Sequence, residues 1–151
     1  MIDFPAAPAT NQVFTVGSLS WKWDGVKWVA QGAGTPYLVG FDVPGVLTLN
    51  AVFAHVFGAA ASFSVNFSGS QAGGSANATG TPLVTFSKAV AGSPLSFSTI
   101  GTLTFGAGTT TPTFVAASAM SFAVGDTIRG LVTTGDASFA DLYLTLVGTR
   151  S

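Results

Sequence analysis

The chain has 151 residues with no cysteine, one histidine, a formal net charge of −1 and only 7% charged residues. This length fits one typical domain, and an apolar content of 48% is enough to fill a core. The lack of cysteine excludes a disulfide framework and a thiolate metal site, and the five scattered basic residues form no stripe that would bind nucleic acid. Small, β-branched and aromatic residues dominate, so the composition predicts a mostly-β protein.

The scarcity of charge also bears on the surface. A domain that stays alone in solution usually carries many charged side chains. Either Ser, Thr, Asn and Gly supply the solvation, or other copies of the chain cover much of this surface; we expect a mixture of the two in which self-association is the larger part. The most apolar run, Ala51–Ala61, is too short to span a bilayer, and the opening MIDFPAAPA has neither the basic nor the apolar region of a secretory signal.

The first 35 residues differ from the rest because they contain all three tryptophans. Within them, the run from Ser20 to Val29 predicts a β-hairpin, with Asp24-Gly25 as a two-residue type I′ turn. Such a turn pairs Trp23 with Val26. It also pairs Trp21 with Trp28 and Lys22 with Lys27, which places the three indoles on one face. Residues 1–35 are thus predicted to be a docking segment, in which Trp21, Trp23, Asp24, Gly25 and Trp28 provide the packing and the turn.

Residues 36–151 predict a jelly-roll-like antiparallel β-sandwich of about eight strands. Tyr37–Val43 is the first strand, and Val46–Phe57 is one kinked strand or two short ones. Ser62–Ser68 alternates as a strand does, and the Gly-rich stretch Gly69–Gly80 is expected to be a mobile, exposed loop. Three further strands are expected at Leu83–Lys88, Ile100–Phe105 and Thr113–Ala116, the last at a sheet edge.

The C-terminal stretch Ser121–Ser151 predicts the closing strand pair of the sandwich. Leu142, Leu144 and Leu146 alternate with more polar residues, the period of a half-buried strand. The break at Thr134-Gly135-Asp136 separates this strand from the preceding one. The three leucines need a second sheet to cover them, because a two-stranded hairpin is only marginally stable in water.

Chemistry-bearing residues are few. His55 lies in an apolar run, where a hydrogen-bonded core histidine is the more common outcome than a catalytic base or metal ligand. Asp126, Asp136 and Asp141 offer oxygen ligands for Ca²⁺ if they converge, but an aspartate beside a glycine is also ordinary turn chemistry. No catalytic or cofactor motif is found, so the sequence predicts neither a cofactor nor a resident metal.

The tryptophans have two interpretations. Trp21, Trp23 and Trp28 are either the packed face of a docked hairpin or a platform for sugar rings, with Tyr37 or Tyr143 adding a rim to such a platform. We favour packing, because aromatic side chains gain most from burial.

The text FPAAPATNQVFTVGSLSWKWDGVKWVA resembles a segment of bacteriophage and prophage tail-fibre and receptor-binding proteins, and FAVGDTIRG with DLYLTLVGTR resembles their small β-sandwich modules. The resemblance implies a non-enzymatic virion structural protein: a short fibre, a head fibre or spike, or a decoration protein. It further implies a homotrimer that docks on capsid or tail proteins, made in the bacterial cytoplasm without a signal peptide. Neither nucleic-acid binding nor membrane insertion is expected. The alternative function is a carbohydrate-binding module that recognises host surface glycans.

Overall fold

The computed structural model describes residues 3–16, 19–31, 35–92 and 94–150. The chain divides into two compact units, Met1–Thr35 and Pro36–Ser151. Regular structure in both described parts is almost entirely antiparallel strand, which confirms the predicted all-β class. None of the described residues belongs to a helix long and apolar enough to cross a membrane.

The first unit is a three-stranded sheet in the order β1-β2-β3. Its strands are β1 (Val13–Val16), β2 (Leu19–Trp23) and β3 (Trp28–Gln31).

The predicted register of the β2–β3 hairpin is wrong. Trp23 pairs with Trp28, and Lys22 opposes Val29 instead of Lys27. The loop therefore has four residues, because the Asp24 carboxylate accepts hydrogen bonds from the backbone N–H groups that follow it and holds a wider turn. A type I′ turn needs two successive residues with positive φ, and in this loop only Gly25 has one.

The second unit is a sandwich of two sheets. The first sheet has the order β10-β9-β8-β12-β5, and the second has the order β11-β6-β13-β4, with β7 also paired to β13. The strands are β4 (Pro36–Leu47), β5 (Val52–Val56), β6 (Ala61–Phe63), β7 (Gln71–Gly73), β8 (Leu83–Ala89), β9 (Phe97–Phe105), β10 (Pro112–Val115), β11 (Met120–Phe122), β12 (Thr127–Thr134) and β13 (Asp136–Arg150).

The core between the sheets is rich in phenylalanine. Leu142, Leu144 and Leu146 point into it from β13 and are almost completely buried, as predicted. Phenylalanines from both sheets complete this core, among them Phe57, Phe63, Phe67, Phe86, Phe105, Phe122 and Phe139.

The last two strands do not pair with each other, although the sequence predicts a closing pair. Strand β12 belongs to the first sheet and β13 to the second. Between them, Gly135 lies against the β4–β5 turn so closely that a Cβ would be 2.8 Å from Leu49 N and 2.9 Å from Leu47 O. The chain therefore crosses from one sheet to the other at a point where only glycine fits.

Two other predictions between residues 61 and 80 are wrong. The strand expected at Ser62–Ser68 ends at Phe63 and gives way to a 3-10 turn at Val65–Phe67. The stretch Gly69–Gly80 is not simply an exposed loop, since it contains β7 and the buried Ala78. The fifteen-residue β13 extends past β6, and β7 pairs with the part of it that β6 leaves free.

The remaining strand predictions agree in outline with the structure. Val46–Phe57 resolves into the end of β4 and the separate β5, and β10 is an edge strand as expected. Strand β4 continues past Pro44-Gly45 to Leu47, and β11 was not predicted. The described part of the second unit has ten strands instead of about eight.

Candidate functional site

The first unit presents a cluster of five aromatic rings on one face of its sheet, which we call the aromatic face: Phe4, Phe14, Trp21, Trp23 and Trp28. Phe4 lies across the strands, with its ring centroid 5.2 Å from that of Trp21 and 5.3 Å from that of Trp28. The ring centroids of Trp23 and Trp28, which pair across the hairpin, are 5.5 Å apart. The three indoles therefore share a face, as predicted, and the two phenylalanines that join them were missed.

The pairing of Phe14 with Trp21 explains how a phenylalanine enters the cluster. Strand β1 has only four residues, which is too short for the alternation of side chains to predict that Phe14 points toward the tryptophans. Phe4 lies before any strand, so only the fold brings it to the tryptophans.

None of the side chains described in the first unit is buried. The five rings of the aromatic face are partly buried, whereas Val26 at the hairpin turn is 84% exposed. Aromatic rings gain stability mainly by leaving water. The part of these rings that remains exposed would gain stability by packing against another surface.

The turn that carries the aromatic face is fixed by Asp24. Its Oδ1 accepts hydrogen bonds from the N–H groups of Val26 and Lys27, both at 2.8 Å. These bonds, led by the one from Lys27, lower the pKa of Asp24 below the ordinary value of 3.8. The side chain is thus an anchor of the turn.

In the second unit, Tyr37 faces the interior at the seam between the edge strands β4 and β5. Its ring stacks on Phe57 with the centroids 5.5 Å apart, and its hydroxyl lies 3.4 Å from Nε2 of His55. The Arg150 guanidinium lies 5.7 Å above the same ring. Tyr37 therefore closes the seam and offers little free surface to a sugar.

His55 is the partner of Tyr37 in this seam. Its ring packs edge-on against the ring of Phe57, with the two ring centroids 5.1 Å apart. Partial burial lowers the pKa of His55 below its ordinary value of 6.5, because the charged imidazolium loses solvation there. A neutral histidine that packs between aromatic rings matches the hydrogen-bonded role that the sequence favoured.

Tyr143 lies on the opposite face of the same sheet and is 57% exposed. It stands on β13 between Asp42 of β4 and Gly73 of β7. The edge of its ring covers Gly73, where a Cβ would be only 2.5 Å from the Tyr143 Cζ atom. The structure thus separates the two tyrosines that the sequence proposed together: Tyr37 is internal and Tyr143 external.

The three aspartates considered as calcium ligands have separate structural roles. Asp126 forms an ion pair with Lys88 and accepts hydrogen bonds from two turn N–H groups. Asp136 accepts hydrogen bonds from the N–H groups of Gly80, Ser138 and Phe139. Asp141 accepts hydrogen bonds from the Gly45 N–H group and the Ser75 hydroxyl. Within the described parts of the chain, no group of three or more His, Asp, Glu or Cys residues is placed to hold a metal ion. The turn interpretation is confirmed for Asp126 and Asp136, the two aspartates that follow a glycine, whereas Asp141 lies within β13 and binds distant segments of the chain.

Hydrogen bonding lowers the pKa of Asp136 and of Asp141 below 3.8. For Asp136 the largest cause is the Gly80 N–H group, and for Asp141 it is the Ser75 hydroxyl. Both carboxylates are ionised at neutral pH and remain bound to the turns that they fix.

Comparison of the chain with protein-family models, curated proteins and solved structures finds no match.

Proposed function

We propose that the chain is a non-enzymatic structural protein of a bacteriophage particle, which self-associates through its sandwich and docks to other virion proteins through residues 1–35. The observation that carries the proposal is the aromatic face: five clustered rings on a small sheet in which no described side chain is buried. A unit of about this size cannot bury enough surface to be strongly stable alone. A partner that covers the rings would supply the missing burial.

The polar features of the hairpin suit a docking role. Lys22 and Lys27 do not oppose each other as the predicted register would have it, because Lys22 pairs with Val29. The four-residue turn is fixed by Asp24 and leaves Val26 projecting into solvent. The rings are therefore presented on a sheet whose register and turn are defined before a partner binds, which reduces the ordering cost of binding.

Support for self-association comes from the surface of the second unit. With 7% charged residues in the chain, few charges keep copies apart. Exposed apolar side chains occur on both sheets, including Leu38 at 61%, Val56 at 61% and Val115 at 53%. A homotrimer is the assembly that the resemblance to phage fibre proteins implies.

We also propose that the sandwich is a jelly roll. Setting aside β7 and β10, the eight other strands pair in a nested way: β4 with β13, β5 with β12, β6 with β11 and β8 with β9. Among these eight strands, the first in the chain pairs with the last, the second pairs with the second-last, and the pattern continues to the innermost pair. Wrapping one long hairpin into two sheets gives this nesting, which supports the jelly-roll assignment.

The roles of the charged groups support a protein without catalysis. His55 is held in a seam of aromatic rings, and Asp126, Asp136 and Asp141 are occupied by turn amides, hydroxyls or Lys88. These four side chains are thus committed to structure.

Quantitative mass spectrometry of purified particles of the source phage tests the virion assignment. We expect the chain in the particles at a copy number that is a multiple of three. Absence of the chain from particles, with its presence in the infected-cell lysate, would overturn the assignment.

Docking is tested by adding variants to particles that lack the chain. Trp28→Ser, in the middle of the aromatic face, is expected to abolish incorporation, because it removes three ring contacts, with Phe4, Phe14 and Trp23, and opens the face to water. Val26→Ser, at the exposed turn, is the matched control and should be incorporated normally. Equal incorporation of both variants would show that the aromatic face is not the docking surface.

Self-association is tested by light scattering on the full chain. A mass of three chains is expected across a wide concentration range. A monomer at high concentration would remove self-association from the proposal while leaving the docking test unaffected.

A further inference from the structure

The outer face of the β4–β13–β7 layer contains a shallow polar surface around Tyr143, which we call the Tyr143 shelf. Pairing of β13 with its two neighbours places Asp42 and Gly73 beside Tyr143 and, one row along, Gly40 and Gln71 beside Thr145. Successive odd-numbered residues of β13 point to the same side, so these residues share one face. The shelf consists of Gly40, Asp42, Gln71, Gly73, Tyr143 and Thr145.

The tyrosine ring is held in place before any ligand arrives. Its Cε2, Cζ and Oη atoms lie over Gly73, which is buried although it sits on the outer side of the sheet. Any side chain at position 73 would displace the ring. More than half of Tyr143 nevertheless remains exposed, so a fixed aromatic surface faces solvent.

The groups around the ring are free to bind. Asp42 and Gln71 are exposed, and their side chains form no hydrogen bond or ion pair with the described residues. Gly40 leaves open space, since a Cβ there would meet no atom within 4 Å. The shelf thus combines a carboxylate, an amide and a hydroxyl with an aromatic surface and open space above Gly40.

This combination fits the chemistry of a pyranose sugar. The C–H groups on one side of the sugar ring pack against an aromatic surface, while its hydroxyls bond to acceptors and donors at the edge. A carboxylate accepts hydrogen bonds from two neighbouring hydroxyls, and an amide both donates and accepts. Asp42 is the only charged residue of the shelf, and its negative charge disfavours acidic sugars.

We propose that the Tyr143 shelf is a binding site for neutral pyranose sugars, in which Tyr143 stacks on the sugar ring and Asp42 and Gln71 bind its hydroxyls. This activity is distinct from the proposed docking, because it uses none of the residues of the aromatic face. It gives the external tyrosine a role that the internal Tyr37 does not share.

The test is a titration of the full chain, labelled with ¹⁵N, followed by amide NMR shifts. The probes are methyl glycosides of glucose, galactose, mannose and N-acetylglucosamine, with methyl glucuronide as the acidic counterpart of methyl glucoside. We expect saturable shifts for at least one neutral sugar, concentrated at residues 40–42, 71–73 and 143–145. Methyl glucuronide should bind more weakly than methyl glucoside.

Variants separate sugar binding from a purely structural role of the tyrosine. Tyr143→Phe keeps the ring and should retain binding, whereas Tyr143→Ala should abolish it. Asp42→Asn should weaken neutral-sugar binding by about tenfold and reduce the discrimination against glucuronide. Phe97→Ala, which removes an aromatic ring from the outer face of the other sheet, is the matched control and should leave binding unchanged.

The proposal is overturned if no neutral sugar gives saturable shifts, or if the shifts are the same in Tyr143→Ala. If Tyr143→Ala fails to fold, Gln71→Ala and Asp42→Asn test the proposal instead, because substitutions at these two exposed positions should not disturb folding. Unchanged affinity in both of these variants would also overturn it. The mass measurement that tests self-association is independent of every one of these outcomes.

Discussion

Gly25 shows at the scale of one residue how the first unit depends on backbone freedom. Its φ is +104°, a value that residues with a Cβ rarely adopt. Space is not the obstacle, because a Cβ there would approach Thr10 Oγ1 no closer than 3.7 Å. We expect Gly25→Val to destabilise the first unit by about 1–3 kcal/mol.

Tryptophan fluorescence during urea unfolding measures this change, since all three tryptophans lie in the first unit. The matched control is Val26→Ala at the neighbouring turn position, whose side chain is almost fully exposed and should leave the midpoint unchanged. An unaltered midpoint in Gly25→Val would mean that the turn tolerates a β-branched residue.

Asp126 is a buried charge of the second unit. Its Oδ2 lies 2.9 Å from Lys88 Nζ, and its two oxygens accept the N–H groups of Ala91 and Ala123. Burial by itself would raise the pKa of Asp126, but these donors and the ammonium together bring it below 3.8. Lys88 also lies over the Phe122 ring, at 4.9 Å from its centroid.

Because the folded pKa of Asp126 is lowered, its contribution to stability is complete above pH 3.8 and is lost as the pH falls through the folded value. We expect Asp126→Asn to destabilise the sandwich at pH 7 by about 2 kcal/mol and to make stability less dependent on pH below 3.8. Unfolding by urea at a series of pH values measures both effects. Asp42→Asn, at an exposed carboxylate that forms no hydrogen bond with the described residues, should leave the stability at pH 7 unchanged. An equal loss of stability in the two variants would contradict the assignment.

The 3-10 turn Val65–Phe67 shows at the scale of an element why alternation can mislead. Phe63, Val65 and Phe67 alternate as a strand requires, yet Val65 is 47% exposed while Phe67 is buried. Asn66 and Phe67 both have positive φ, which ends the strand. Asn66 is held by Ala116, whose N–H donates to Asn66 Oδ1 at 2.9 Å. That partner is fifty residues away in the chain, so no local pattern indicates it.

Asn66→Ala is therefore expected to destabilise the second unit by about 1–2 kcal/mol, through the lost hydrogen bond and the unfavourable φ. The change is measured as a shift of the circular-dichroism unfolding midpoint. Ser64→Ala is the control, since Ser64 precedes the same turn but its side chain forms no capping hydrogen bond. Similar midpoints for both variants would show that the turn does not depend on Asn66.

At the scale of the whole molecule, the two units differ in how they are stabilised. The second unit has a core of fully buried phenylalanines and leucines, whereas none of the described side chains of the first unit is fully buried. Buried apolar area is the main source of stability. We therefore expect the first unit to unfold at a lower urea concentration than the second.

During urea unfolding, tryptophan fluorescence gives the midpoint of the first unit, and the circular-dichroism signal of the sandwich gives the midpoint of the second unit. Phe86→Ala, in the sandwich core, should lower the second midpoint by an amount equivalent to about 3–5 kcal/mol and leave the first unchanged. Coincident transitions in the wild-type chain would contradict this expectation.

The sequence by itself determined the all-β class, the inward face of β13, the edge position of β10 and the sharing of one face by three indoles. These features follow from composition and from a side-chain period of two, which are local properties of the chain. Tertiary structure decided the rest. The four-residue hairpin loop is the exception, because local hydrogen bonds from the N–H groups of Val26 and Lys27 to Asp24 hold it. The crossing at Gly135 and the separation of Tyr37 from Tyr143 depend on strand pairing and close contacts between distant residues. The Tyr143 shelf depends most on such contacts, because only the pairing of β13 with β4 and β7 brings its six residues onto one surface.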